Sequence, residues 1–104
     1  EGEDRALARY EAHGYRLVAR NWRVKSGEID LVVERGDVVV ICEVKTRSSV
    51  RYGTGFDAVD WRKRRKIRIV ASQFLSSTDR HWPDVRFDVA WVSPTGVRVL
   101  EGAF

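Results

Sequence analysis

Residues 27–45 read GEIDLVVERGDVVVICEVK, two runs rich in β-branched residues separated by Gly36–Asp37. A Gly-X pair between such runs is a strong hairpin signal. With Gly36 and Asp37 as the two loop residues, Arg35 meets Val38 and every later pair follows by counting outward. Val33 then meets Val40, Leu31 meets Cys42 and Ile29 meets Val44, which makes one apolar face. On the other face Glu34 meets Val39, Val32 meets Ile41, Asp30 meets Glu43 and Glu28 meets Lys45. The apolar pairs fall together, and a slip of one residue would scramble both faces.

This register sets two carboxylates directly across from each other. Cross-strand Cβ atoms lie about 4.5–5.5 Å apart. Like charges at that spacing repel unless a cation lies between them or one carboxyl keeps its proton. A Mg²⁺ (or Mn²⁺) ion answers the conflict, because it takes a few carboxylate oxygens and fills its octahedron with water and phosphate. Lys45 is two residues beyond Glu43 and shares its face. Asp30, Glu43 and Lys45 are therefore candidate catalytic residues for phosphodiester hydrolysis. The ion would polarise the phosphate and acidify a water, and the lysine would orient that water or offset developing charge. The competing account is a surface patch in which Glu28 pairs with Lys45, Arg47 shields Glu43 and nothing is bound.

Outward from the hairpin, residues 3–13 read as a helix with Ala6, Leu7 and Tyr10 as its apolar stripe and Gly14 as its stop. Glu3 projects from the same face. Residues 15–24, YRLVARNWRV, read as a strand in which Leu17, Ala19 and Asn21 alternate with Val18, Arg20 and Trp22. Residues 46–55 make a polar loop, and residues 56–76 a long helix with Phe56, Val59, Ile67, Val70, Ala71 and Phe74 at helical spacing. Residues 85–92 form a strand, PTG a turn, and residues 97–101 a last short strand. The order α-β-β-β-α-β-β predicts an α/β fold, a mixed sheet covered by helices. With 104 residues, the chain fits a single domain spanning 1–104.

Composition narrows the function classes. The net charge is +4, which suits a polyanionic partner such as nucleic acid. One cysteine, Cys42, excludes an internal disulfide framework and a cysteine-rich zinc site and fits a reducing compartment. No apolar run approaches the roughly 20 residues of a membrane span. The opening EGEDRALARY lacks a basic region followed by an apolar one, so no signal peptide is expected and the predicted location is cytoplasmic. His13 and His81 have no metal-binding companion at suitable spacing.

The string GEID followed about a dozen residues later by EVK resembles the PD-(D/E)xK nuclease superfamily. The whole chain looks closer still to the YraN-like uncharacterised bacterial family, similar in fold to archaeal Holliday-junction resolvases. The matching residues are Gly2–Glu3, Gly14–Tyr15, Asn21, GEID at 27–30, EVKTR at 43–47, Lys63 and RFDV at 86–89. The resemblance implies a restriction-endonuclease-like fold, Asp30 and Glu43 as metal ligands, Lys45 as the catalytic lysine and Glu3 as a further acidic ligand. One departure is Cys42, which stands where the family carries a bulky apolar or aromatic residue. Its position facing Leu31 makes it a core residue.

Residues 62–68 read RKRRKIR, six basic residues in seven. At about 100° per residue these charges surround the helix. Lys63 lies four residues after Val59 and four before Ile67, so it points toward the sheet. Either it reaches phosphate at the edge of the site or its stem is buried and its amine snorkels to solvent. The family match favours the first. Arg62, Arg64, Arg65 and Arg68 fit a solvated outer face; Arg47, Arg62, Arg65 and Lys63 are the candidate nucleic-acid contacts. Trp61 and Tyr52 could stack on an unpaired base, and Trp61 fits equally the core or the interface of a homodimer. Asp88 is expected to play a structural part, paired with a basic residue of the second helix. The expected function is a metal-dependent endonuclease acting on DNA, branched or structured forms included. The alternatives are a nucleic-acid-binding module that does not cleave, and a scaffold acting through protein contacts.

Overall fold

A computed structural model describes residues 1–46 and 61–104. Their elements are α1 (Gly2–Ala12), β1 (Arg16–Val24), β2 (Gly27–Arg35), β3 (Val38–Thr46), α2 (Trp61–Ser77), β4 (Asp84–Ser93) and β5 (Gly96–Leu100). The strands lie side by side in chain order in a single five-stranded sheet. Neighbours are antiparallel except β3 and β4, which are parallel and joined through α2. The result is the expected mixed α/β sheet flanked by helices. Arg47, Tyr52, Phe56 and Val59, with most of the expected polar loop, lie outside the described residues.

Central strand β3 explains the parallel pair. Val39, Val40, Ile41 and Cys42 are all at most 1% exposed, as a strand covered on both faces requires. Toward α1, Ala6 and Tyr10 pack on Leu31, Val33, Val40, Cys42, Ala90 and Val92. Toward α2, Ile67, Val70, Ala71 and Phe74 pack on Ile29, Val32, Val39 and Ile41. The chain is thus three layers, helix, sheet and helix. No helix of the described residues is long and apolar enough to cross a membrane.

Several sequence expectations need correction. Strand β1 does not alternate cleanly. Leu17 pairs with Val33 and Ala19 with Val32, so Val18 is the extra residue of a bulge. Leu17 is consequently exposed, while Val18 and Ala19 both pack toward α2. Trp61 is 62% exposed and does not belong to the core. Arg64 and Arg68 are exposed as expected, and each also lies near an aromatic ring, Arg68 4.8 Å from the Phe87 ring centroid and Arg64 5.9 Å from that of Phe104. A guanidinium over an aromatic face is attracted by the ring quadrupole, so these arginines help pin α2 to the sheet. Asp88 is fully buried and structural, but its partners are Arg86, the Tyr10 hydroxyl and the Gly102 N–H, not α2.

Candidate active site

Asp30 stands where β1 and β2 exchange faces. Leu31 lies toward α1, and its β1 partner Arg20 reaches Asp4 (2.8 Å) and Glu3 (3.6 Å) of that helix. One pair further on, Ile29 lies toward α2, and its partner Trp22 meets Phe74 edge to face at 5.2 Å. Strict alternation would keep Ile29 with Leu31, so the expected common face of Ile29 and Val44 is not formed. Between the two pairs sits Asn21, with φ 50°, the sole positive φ among the described non-glycine residues. A left-handed step breaks the two-residue alternation, and Asn tolerates it better than other L-residues.

The β2–β3 ladder keeps the expected register from Arg35–Val38 to Leu31–Cys42. It stops short of the expected Asp30–Glu43, Ile29–Val44 and Glu28–Lys45 pairs. Where the ladder has ended, the Val44 N–H donates to Asp30 Oδ2 at 2.9 Å. Glu28 turns to Arg23 (3.0 Å) and not to Lys45. The Asp30 and Glu43 carboxyls nevertheless stay close enough for Glu43 to act on Asp30. Burial pushes Asp30 up to about 7, opposed by the Val44 N–H and reinforced by the Glu43 charge.

Two ammonium groups meet Glu43 Oε2, Lys45 Nζ at 3.4 Å and Lys63 Nζ at 3.4 Å. Lys45 comes from β3 and Lys63 from α2. They shift in opposite directions. Burial, then the neighbouring Lys63, lowers Lys45, against the pull of Glu43. Contact with Lys45 raises Lys63, with burial opposing and Glu43 reinforcing. Glu3 stands at the margin: its carboxylate is on Arg20, yet its charge is felt at Asp30. Arg62 and Arg65 are exposed on the same helix, with Arg62 5.3 Å from the Trp61 ring centroid.

Two glycines set this geometry. A Cβ at Gly27 would fall 3.0 Å from Val70 Cγ2 at a φ of +154°, so glycine eases the close approach of α2 to the start of β2. A Cβ at Gly2 would fall 2.5 Å from Thr46 Oγ1, so the first turn of α1 can rest on the end of β3. Together they draw both helices to the end of the hairpin that carries Asp30, Glu43 and Lys45.

Among the described residues no group of three or more His, Cys, Asp or Glu side chains could hold a metal ion. The available donor set is Asp30 and Glu43. Two carboxylates fit Mg²⁺, which commonly uses one or two and takes its other ligands from water and phosphate. They do not fit a structural zinc, which wants four protein ligands. A shallow depression of about 560 Å³ lined by Trp22, Val24, Lys25, Ser26, Gln73 and Ser77 lies apart from these groups and holds no carboxylate.

The profile of a family described only as uncharacterised, UPF0102, matches residues 2–92. This chain belongs to the UPF0102 family. A UPF0102 protein of Rhodococcus opacus is 46% identical, over 85% of this chain and 75% of the relative. One from Frankia casuarinae is 44% identical and one from Symbiobacterium thermophilum 46%, each over 99% of this chain and 92% of the relative.

In this UPF0102 chain, alternation alone hid the part played by Asn21. A single asparagine inside a β-branched strand, with a carboxylate on the neighbouring strand, was the available signal. Its left-handed conformation could not be read from residue types.

Proposed function

We propose that this UPF0102 protein is a metal-dependent endonuclease that hydrolyses phosphodiester bonds in DNA, branched and structured forms included. The observation that carries the proposal is the proximity of two half-buried carboxyls at the open end of the hairpin, with Lys45 and Lys63 at 3.4 Å from one of them. Clustered titratable groups whose pKa values are shifted by burial and by one another mark candidate functional sites. Asp30 and Glu43 would hold Mg²⁺ or Mn²⁺. Such an ion supplies Lewis-acid polarisation of phosphate and activation of water.

The protein's own groups do the rest. The Val44 N–H fixes one Asp30 oxygen and leaves the other for the site. Glu43 holds Lys45, whose ammonium offsets charge developing on the phosphate. Lys63, Arg62 and Arg65 present α2 to the nucleic-acid backbone.

The test is a panel of linear, flapped and four-way DNA incubated with the protein and Mg²⁺ or Mn²⁺. Cleavage that Asp30→Asn abolishes supports the proposal. No metal-dependent cleavage of any substrate at high protein concentration overturns it. The second account, a nucleic-acid-binding module that does not cleave, is favoured by the lack, among the described residues, of a third carboxylate or imidazole grouped with Asp30 and Glu43. It predicts strongly salt-dependent DNA binding that Asp30→Asn leaves unchanged.

A further inference from the structure

Glu43 is claimed by two ammonium groups that differ in freedom. Lys45 rises from the central strand, and its side chain is 18% exposed. Lys63 reaches in from α2, and its side chain is 42% exposed. Both Nζ atoms stand 3.4 Å from the same oxygen, Oε2. The other side of the site is Asp30, tied to the Val44 N–H.

Counting charge, the two carboxylates carry at most two negative charges and the two lysines two positive ones. With both carboxyls ionised, these four groups balance. A divalent ion entering alone would face two ammonium groups at the oxygen it needs, so bare-ion affinity is held down. Balance returns if an anion arrives too and one ammonium moves onto it. Lys45 cannot move far, being enclosed on β3. Lys63 is on a flexible four-carbon stem at the half-exposed edge, beside the exposed Arg62 and Arg65.

We propose that Lys63 is an exchangeable counter-ion of Glu43, transferred to a backbone phosphate of the bound nucleic acid when a divalent ion enters. Ion binding and nucleic-acid binding are then coupled through one side chain. The chain keeps its carboxylates neutralised until a polyanion is present. This rests on the nuclease proposal above for the identity of the site, and it adds a rule for when the site loads.

The experiment measures Mn²⁺ affinity of the full chain by calorimetry, alone and with a cleavage-resistant phosphorothioate oligonucleotide whose own Mn²⁺ binding is subtracted. Wild-type protein should bind Mn²⁺ about tenfold tighter with the oligonucleotide, within the usual range of coupling between sites. Lys63→Met should bind Mn²⁺ about tenfold tighter than wild type without the oligonucleotide and lose most of the enhancement. Lys63→Gln keeps polarity on the same half-exposed helical position and should behave alike. Lys66→Met removes the same charge from an exposed position of the same helix, over Gly27 and not on Glu43, and should change either affinity by less than about twofold. Mn²⁺ binding that needs Asp30 but ignores Lys63→Met overturns the counter-ion and leaves the nuclease proposal standing. So does a Lys66→Met effect as large as that of Lys63→Met. If wild-type protein shows no Asp30-dependent Mn²⁺ binding under either condition, both fall together.

Discussion

Glu34 and Asp30 lie four residues apart on β2, and their surroundings drive them in opposite directions. Glu34, in the ladder near the turn, meets Arg80 and Arg16 and accepts the Trp82 indole N–H at 2.9 Å. Chiefly through Arg80, it is held down to about 2. Asp30, at the open end, meets a backbone N–H and another carboxyl and is pushed up to about 7. The same strand therefore carries a carboxylate met by arginines and an indole N–H and one whose described partners are a single backbone N–H and another carboxyl. Fully paired buried charges are parts of the structure, as Asp88 also is between Arg86, Tyr10 and Gly102. A buried charge left facing its like is where a ligand is expected.

The largest contrast should appear in activity. Asp30→Asn or Glu43→Gln should lower metal-dependent DNA cleavage more than about a hundredfold, since partners one step removed from a metal already cost about 10- to 100-fold. Glu34→Gln should leave the rate of the folded protein within about twofold, because Glu34 touches none of the groups that would hold the ion. Single-turnover cleavage rates of the three variants check this. An active Asp30→Asn protein would erase the distinction between the two carboxylates.

Stability should rank them the other way. Glu34→Ala strips the buried Trp82 indole of its acceptor, which costs about 1–3 kcal/mol. Arg16 and Arg80 add little, being largely solvated. Because Glu34 is depressed in the folded state, its contribution is present above the unfolded value near 4.3 and disappears as pH falls toward 2. Urea midpoints of wild type and Glu34→Gln should therefore differ at pH 6 and converge at low pH.

Asp30 carries the opposite sign. Its folded value lies above the unfolded one near 3.9, so folding favours the protonated form. That contribution is complete below pH 4 and is lost as pH rises through about 7. Wild-type protein in a metal chelator should lose on the order of 1–2 kcal/mol of stability between pH 4 and pH 8 from this group, after allowance for solvent screening. Asp30→Asn should not show that loss and should be the more stable protein at pH 8. If its urea midpoint falls below that of wild type at pH 8, Asp30 is a structural carboxylate like Glu34.

The sequence reveals the closed end of the hairpin more fully than the open end. From Gly36–Asp37 to Leu31–Cys42 the register follows from alternation, because every slip would expose apolar side chains. The element order, the α1 stripe of Ala6 and Tyr10, and the central position of β3 follow from periodicity in the same way. Two things escape periodicity. Bulges such as that at Val18 add a residue without changing its type, so counting runs on as if nothing had happened. Contacts between distant elements escape it too. Lys63 was legible as pointing toward the sheet, but its landing on Glu43 depends on how far α2 slides along β2, which is set by the close approach at Gly27. Asp30 and Glu43 were legible as neighbours for a reason that only partly holds: they meet through side chains, beyond the end of the backbone ladder that was expected to align them.

Asn21 gives the smallest and most local test of the difference between the two ends. Its φ of 50° is where β1 turns over, placing Arg20 toward α1 and Trp22 toward α2, with Asp30 opposite the step. If that step is what frees Asp30 from ordinary strand pairing, backbone preference at position 21 should matter more than the side chain. Asn21→Gly keeps the left-handed region accessible and should leave stability within about 0.5 kcal/mol of wild type. Asn21→Ala pays a left-handed penalty and should cost about 1 kcal/mol, measured by urea unfolding at pH 7. Mn²⁺ affinity should follow the same order, close to wild type in Asn21→Gly and reduced in Asn21→Ala, because a flattened β1 would draw Asp30 back into register and away from Glu43. A structural role alone would lower stability in Asn21→Ala and leave the Mn²⁺ affinity of the folded fraction untouched. Equal Mn²⁺ affinity in both variants would mean that the turnover of the strands does not place the carboxylate, and that the Val44 N–H holds it there unaided.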